Sequence, residues 1–213
     1  MDDYLPVKQD GTPAFATCRE GELWVSLLEK AWAKLHGSYA RIEGGLPSHA
    51  ATHLAGVPAE SYLHDDLESS EHEDFFEQLE SADKRRFIMM AASRDSGESA
   101  GKDGLVTGHA YSLISIHRLE HEGREIKLFK LRNPWGSGEW TGAWSDNSEN
   151  WTDELKEKVC FTNANDGIFF IELEDYLQHF QWTSVCFDNN SVRYSHSRLQ
   201  HCFSTDEDDN TTP

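Results

Sequence analysis

Apolar positions along residues 23 to 35 recur at helical spacing. Leu23, Trp24, Leu27, Leu28, Ala31, Trp32 and Leu35 share one face of a 3.6-residue period. Lys30 and Lys34 lie near the end of this run, where cations suit the helix dipole, and Gly37 stands where a left-handed terminator belongs. The pattern predicts a helix from about residue 21. Before it, Pro6, Gly11 and Pro13 break residues 1 to 20 into an extended lead-in. Residues 38 to 62 read as loop, with His49 and His53 in a stretch too short and Gly-rich for a helix. A second helix is predicted over Glu71 to Ala82, with Phe75, Phe76 and Leu79 inward and a solvated acidic face outward. Arg86 to Ser93 reads as a buried strand, and 94 to 104 as a polar, glycine-rich loop.

The period then changes from helical to alternating. Residues 105 to 118 alternate, a polar turn follows at 121 to 125, and residues 126 to 132 alternate back. A hairpin with its corner near 121 brings His109 and Asn133 together across the ladder. Beyond it come a Trp-rich excursion (136–165) with a helix around 153 to 159, a strand at 167–173, a brief helix at 175–180 and a last strand at 183–188. Helices interspersed with antiparallel strands predict an α+β fold in one unit over residues 1–188. Residues 189–213 read as a partly disordered C-terminal extension.

Composition narrows the partners. With 19 basic and 38 acidic residues the net charge is −19, which argues against nucleic acid or an anionic membrane surface. The longest apolar runs, such as 87–92, are far too short for a membrane span, and the N-terminus lacks the pattern of a secretory leader. Cys18, Cys160, Cys186 and Cys202 show no metal or disulfide spacing and read as reduced thiols of a cytoplasmic protein.

The chemistry centres on His109, Asn133 and Trp135. A cysteine peptidase needs a thiolate, an imidazole to hold its proton and a side chain that orients the imidazole. An asparagine oxygen accepting the Nδ1–H would fix the ring and leave the other nitrogen for the sulfur. Trp135 would cover the pair and exclude water. Spacing alone leaves a second reading open, a buried histidine hydrogen-bonded to a turn asparagine.

The words around these residues resemble the calpain family of cysteine peptidases: GHAYS at 108–112 and LRNPWGSGEWTGAWSD at 131–146. ELWVSLLEKAWAKLHGSY at 22–39, DDYLPV at the start and DGIFFIELEDYLQHF at 166–180 are similar to further family segments. The resemblance implies the papain-like fold, here the antiparallel-sheet half with flanking helices, and the helix after Cys18 packed inside that half. It implies His109 and Asn133 as two members of a Cys-His-Asn triad, with Trp135 shielding them. The family's Gly-Asp-Cys-Trp nucleophile word does not occur, so the nucleophile-bearing half is absent. Cys18 lies only 91 residues before His109, where papain-like enzymes place the histidine about 130 residues downstream.

The resemblance also implies calcium at Glu139, Asp146 and Asp166, weakened because Ile168 stands where the family has a glutamate. Plain surface acids are the other reading. The function expected is part of a calpain-like, calcium-dependent endopeptidase acting on protein substrates. Its partner would be the missing Cys-bearing N-terminal half, and the isolated chain would be inactive. The alternative is a non-catalytic calpain-like module that binds proteins.

Overall fold

The computed structural model describes residues 4–18, 21–94 and 99–187. The expected extension at 189–213 therefore lies outside the described residues. Helix α1 (Trp24–His36) ends on Gly37 at φ 96°, as its sequence signal requires. A 3-10 turn at Tyr39–Ile42 leads to α2 (Pro47–Ala55). The sequence reading has loop here. Pro47 starts the helix without wasting a donor, and Gly56 at φ 69° closes it with its N–H on the Thr52 carbonyl, 2.8 Å away. The glycine that argued against a helix is its terminator.

Strand β1 (Ala59–Leu63), α3 (His72–Lys84) and β2 (Ile88–Ser93) follow. A two-residue ribbon pairs β3 (Ser99–Ala100) with β4 (Val106–Thr107). The long hairpin is β5 (Ala110–His121) and β6 (Arg124–Arg132), and α4 (Asp153–Lys158), β7 (Ile168–Glu172), α5 (Leu173–His179) and β8 (Phe180–Cys186) complete the chain. Six strands form one sheet in the order β1-β8-β2-β5-β6-β7, every neighbour antiparallel. Among the described residues no helix is long and apolar enough to cross a membrane.

Alternation along the strands divides two cores. Phe129, Leu131, Phe169 and Ile171 point to one face, under Phe75, Phe76 and Leu79 of α3 and Leu173 and Tyr176 of α5. Ile126, Leu128 and Phe170 point to the other face, where Trp144, Trp151, Leu155 and Val159 cover them. The tryptophan-rich excursion is thus a second core, which makes that end of the sheet buried on both sides. The middle strands are less covered: Ile88 of β2 and Ile114 of β5 are exposed.

Two expectations need correction. The acidic face of α3 is not simply solvated, because Glu73 accepts from Arg118 (2.9 Å) and from Lys127, and Asp83 accepts the Ile116 N–H at 2.9 Å. Nor does the apolar stripe of α1 pack inside. Its buried residues are Ser26, Lys30 and Ala33, whereas Leu23, Trp24, Leu27, Leu28 and Leu35 are exposed. The lead-in wraps the polar side: Ser26 donates to the Ala16 carbonyl (2.8 Å), Lys30 to that of Tyr4, and Glu29 accepts the Ala16 N–H at 3.0 Å.

Candidate functional site

The hairpin turns at Glu122 and Gly123, both with positive φ, which matches the right-handed twist of its strands. A register shift between Leu113 and Ser115 moves the pairing by one residue. His109 lies just before β5 and Asn133 just after β6. The midpoint reading places the turn slightly early, yet it brings these two residues to the same end of the ladder.

The backbone around His109 is pinned. Gly108 sits at φ 59°, its N–H on the Arg94 carbonyl at 2.9 Å. Ser93 Oγ accepts the His109 N–H (3.0 Å) and donates to the Val106 carbonyl (2.7 Å), while the Ser93 N–H donates to the His109 carbonyl at 2.9 Å. Tyr111 takes the Val106 N–H on its hydroxyl at 2.7 Å and sets its ring edge to the imidazole, centroids 5.1 Å apart. Ser93 and Tyr111 are positioning residues absent from the sequence reading. Their signal was faint: a serine and a tyrosine at inward strand positions, where apolar side chains are the rule.

Asn133 is fully buried and His109 is 7% exposed. Asn133 sits at the corner that opens the NPWG segment, where the following proline holds it extended. Its N–H donates to the Gly167 carbonyl (2.8 Å), and its own carbonyl accepts from Gly136 at 2.9 Å. The side-chain amide can be oriented from its partners. Oδ1 accepts the Trp135 N–H at 3.0 Å, and Nδ2 donates to the Gly138 carbonyl at 3.3 Å. Oδ1 therefore accepts from the imidazole Nε2, 3.0 Å away, which must carry the proton. This reverses the expected nitrogen: Nε2–H, rather than Nδ1–H, faces the asparagine. Glycine is required around this amide. A Cβ at Gly138 would stand 3.1 Å from Asn133 Nδ2, and one at Gly167, where φ is 85°, only 2.8 Å from the Asn133 carbonyl oxygen.

Trp135 leans over the imidazole with ring centroids 4.5 Å apart and planes inclined by 47°. It remains 53% exposed, so it covers His109 with one face and offers the other to solvent. His109, Gly108 and Pro134 form one wall of a cleft of about 850 Å³. Ile88, Met90 and Cys186 belong to its sheet side; Trp32 and His36 of α1 and several residues of α2 line the rest. The arrangement holds an oriented, buried base at the edge of a large cleft.

Of the cysteines, Cys18 lies in the lead-in with its thiol 3.9 Å from Glu22 Oε2, and it is not part of the cleft wall. Cys160 is exposed on the turn after α4. Cys186 pairs with Ile88, four residues along β2 from Ala92, the partner of Ala110. At the rise of a strand that is about 13 Å from the histidine end.

Glu139, Asp146 and Asp166 approach one another. Burial, and then the charges of Glu139 and Asp166, push the Asp146 carboxyl up to about 6. Mutual repulsion of that kind suits a cation, but the three do not form a cage. Glu139 Oε1 accepts the Gly167 N–H at 2.7 Å and Asp166 Oδ1 the Ile168 N–H at 2.9 Å. Among the described residues no group of three or more His, Cys, Asp or Glu side chains is arranged to hold a metal.

Comparison with known proteins agrees with the site's vocabulary. Residues 1–187 match the family model described as calpain family cysteine protease. The calpain-type cysteine protease DEK1 of Zea mays is 38% identical over 201 residues, covering 87% of this chain and 9% of that protein. Human calpain-9 is 35% identical over 193 residues, covering 87% of this chain and 27% of its own length. Human calpain-12 is 37% identical over 191 residues, again 87% of this chain and 26% of the relative. The chain thus spans about a quarter or less of the curated relatives it matches.

Proposed function

The chain belongs to the calpain family of cysteine proteases, and from that premise we propose that it is the His- and Asn-bearing part of a papain-like endopeptidase. The observation that carries this reading is the buried His109 Nε2–H to Asn133 Oδ1 hydrogen bond, beneath Trp135 and beside an 850 Å³ cleft. In this reading a cysteine from a segment outside the sequence approaches Nδ1 of His109. The imidazole takes the thiol proton, and the resulting ion pair makes the sulfur nucleophilic at neutral pH. The thiolate attacks a peptide carbonyl, and His109 returns the proton to the leaving amine. Asn133 accepts the Nε2–H in both the neutral and the protonated ring and so fixes its orientation, and the indole keeps water off that hydrogen bond.

The substrates are proteins, and the compartment is the cytosol, where widely spaced cysteines stay reduced. Calcium binding at Glu139, Asp146 and Asp166 is weak in this reading. Three carboxylates supply charge, but Ile168 withholds a fourth, and calcium wants six to eight oxygens.

The test is reconstitution. The 213-residue chain alone should hydrolyse no casein-type substrate. Mixed with a calpain half that supplies the cysteine, it should gain turnover that His109→Ala abolishes. Turnover by the isolated chain, lost on Cys18→Ser, would overturn the assignment. A tight complex without turnover would favour the non-catalytic binding module instead.

A further inference from the structure

Besides His109, three histidines line the cleft: His36, His49 and His53. The sequence pattern gives His49 and His53 no common face, because it reads their segment as loop. In the structure they lie one turn apart on α2, and His36 closes α1. The two helices bring His36 and His53 together beside Trp32. The indole centroid is 4.6 Å from the His36 ring and 5.3 Å from the His53 ring. The two imidazoles are 6.2 Å apart, with planes inclined by 41°.

Aromatic packing accounts for three rings in contact, but not for the fate of one ring nitrogen. His36 Nε2 is buried and has no hydrogen-bond partner among the described residues. A buried nitrogen left unmatched costs free energy, and a metal ion is one of the partners such a group takes. With the proton on Nδ1, Nε2 offers a lone pair of the kind that borderline transition metals bind. Geometry permits a second ligand. Two imidazoles sharing an ion at about 2.0–2.1 Å have centroids roughly 5–6 Å apart. A small turn of the exposed His53 side chain closes the remaining gap, and its exposure gives an ion a way in. Of the charged residues lining the same cleft, Arg41 opposes a cation and Glu43 favours one, while the net charge of −19 draws cations to the molecule as a whole.

We propose that His36 and His53 form a two-imidazole site for a divalent transition-metal ion of the zinc type in the wall of the cleft. Water completes the shell, because the described residues hold no group of three ligands. Imidazole nitrogen selects zinc, copper or nickel and discriminates against calcium and magnesium, which want oxygen. The site is therefore distinct in place and in chemistry from the acids around Asp146. It uses neither His109 nor Asn133, so it stands or falls apart from the catalytic reading.

The experiment titrates the full 213-residue chain with zinc chloride at pH 7.5 in a non-chelating buffer, by calorimetry and by NMR of the histidine rings. One ion per chain should bind, with calcium and magnesium failing to displace it. Of the eleven histidines, His36 and His53 should show the first and largest ring shifts. Replacing either ligand should weaken binding by about tenfold or more, since even an outer-shell partner of a metal ligand is worth that much. His53→Gln is the decisive variant, because its side chain is exposed and the fold does not depend on it. His36→Gln is read alongside, with circular dichroism as the check on folding. His49→Gln should bind zinc within about twofold of the unaltered chain. Unchanged affinity in His53→Gln overturns the proposal. So does zinc binding no tighter than calcium, or a loss confined to His49→Gln.

Discussion

At the scale of single residues, the site is a set of mutual restraints on one amide and one ring. Asn133 can orient His109 only because Trp135 N–H and the Gly138 carbonyl have already oriented Asn133. Ser93 performs the same service for the histidine backbone from a neighbouring strand. These partners are spread between Ser93 and Gly138, so sequence spacing could suggest the His–Asn pair but not the donor nitrogen. Ile168 is the residue that most sharply separates this chain from the pattern it resembles. Its N–H already ties Asp166 in place, so a carboxylate on its side chain would add an oxygen beside an organised neighbour. We expect Ile168→Glu to tighten calcium about tenfold, read by titration calorimetry at pH 7.5. Equal affinity in the two proteins would remove the 139–166 acids from consideration as a calcium site.

At the scale of elements, α3 and α1 show how one amphipathic pattern meets two fates. The apolar side of α3 is locked into the sheet: Phe76 is fully buried and packs edge-on against Phe129 at 5.5 Å. Arg118 places its guanidinium 5.0 Å from the Phe76 ring while pairing with Glu73. The salt bridges above the ring are half in water, where such pairs contribute under about 1 kcal/mol. Removing the ring is another matter. Phe76→Ala should cost about 3–5 kcal/mol and Glu73→Gln less than about 1, both read from urea denaturation of the chain. Comparable losses for the two would mean that the ion network, rather than the aromatic core, holds α3 down.

At the scale of the whole molecule, His64 ties the end of the edge strand β1 to its neighbour β8. It is buried in the turn after β1. Its Nδ1–H donates to the Phe180 carbonyl (2.7 Å), and its Nε2 accepts from the Thr183 hydroxyl at 2.7 Å. Burial, opposed by the Phe180 contact and reinforced by Arg94, lowers its pKa to about 4. Between pH 6.5 and 4 the unfolded chain therefore binds a proton that the native ring refuses. The stability this histidine contributes is present above about pH 6.5 and lost as the pH falls towards 4, roughly 3 kcal/mol in all. The raised carboxyl of Asp146 works in the opposite direction over part of that range, so the difference between proteins is the clean measurement. Urea midpoints at pH 7.5 and 4.5 should fall further for the native chain than for His64→Gln. Parallel falls would place the acid sensitivity elsewhere.

Much of this protein was legible in its order of residues. The α1, α3, α4 and α5 segments, the β5–β6 hairpin and the meeting of His109 with Asn133 follow from periods of 3.6 and 2 and from a turn of known length. The long motif words carried the family. Helix α2 was missed because a glycine at a helix end and a glycine in a loop read alike until the hydrogen bond to Thr52 is seen. Only the tertiary structure decided which nitrogen faces Asn133, which cations occupy the acidic side of α3, and that the stripe of α1 looks outward. The physical reason is common to all three. A periodic pattern records that a face is apolar or charged, but its fate depends on which distant backbone and side-chain groups the fold carries to it. For α1, the fold carried the lead-in to the polar side and left the apolar side bare.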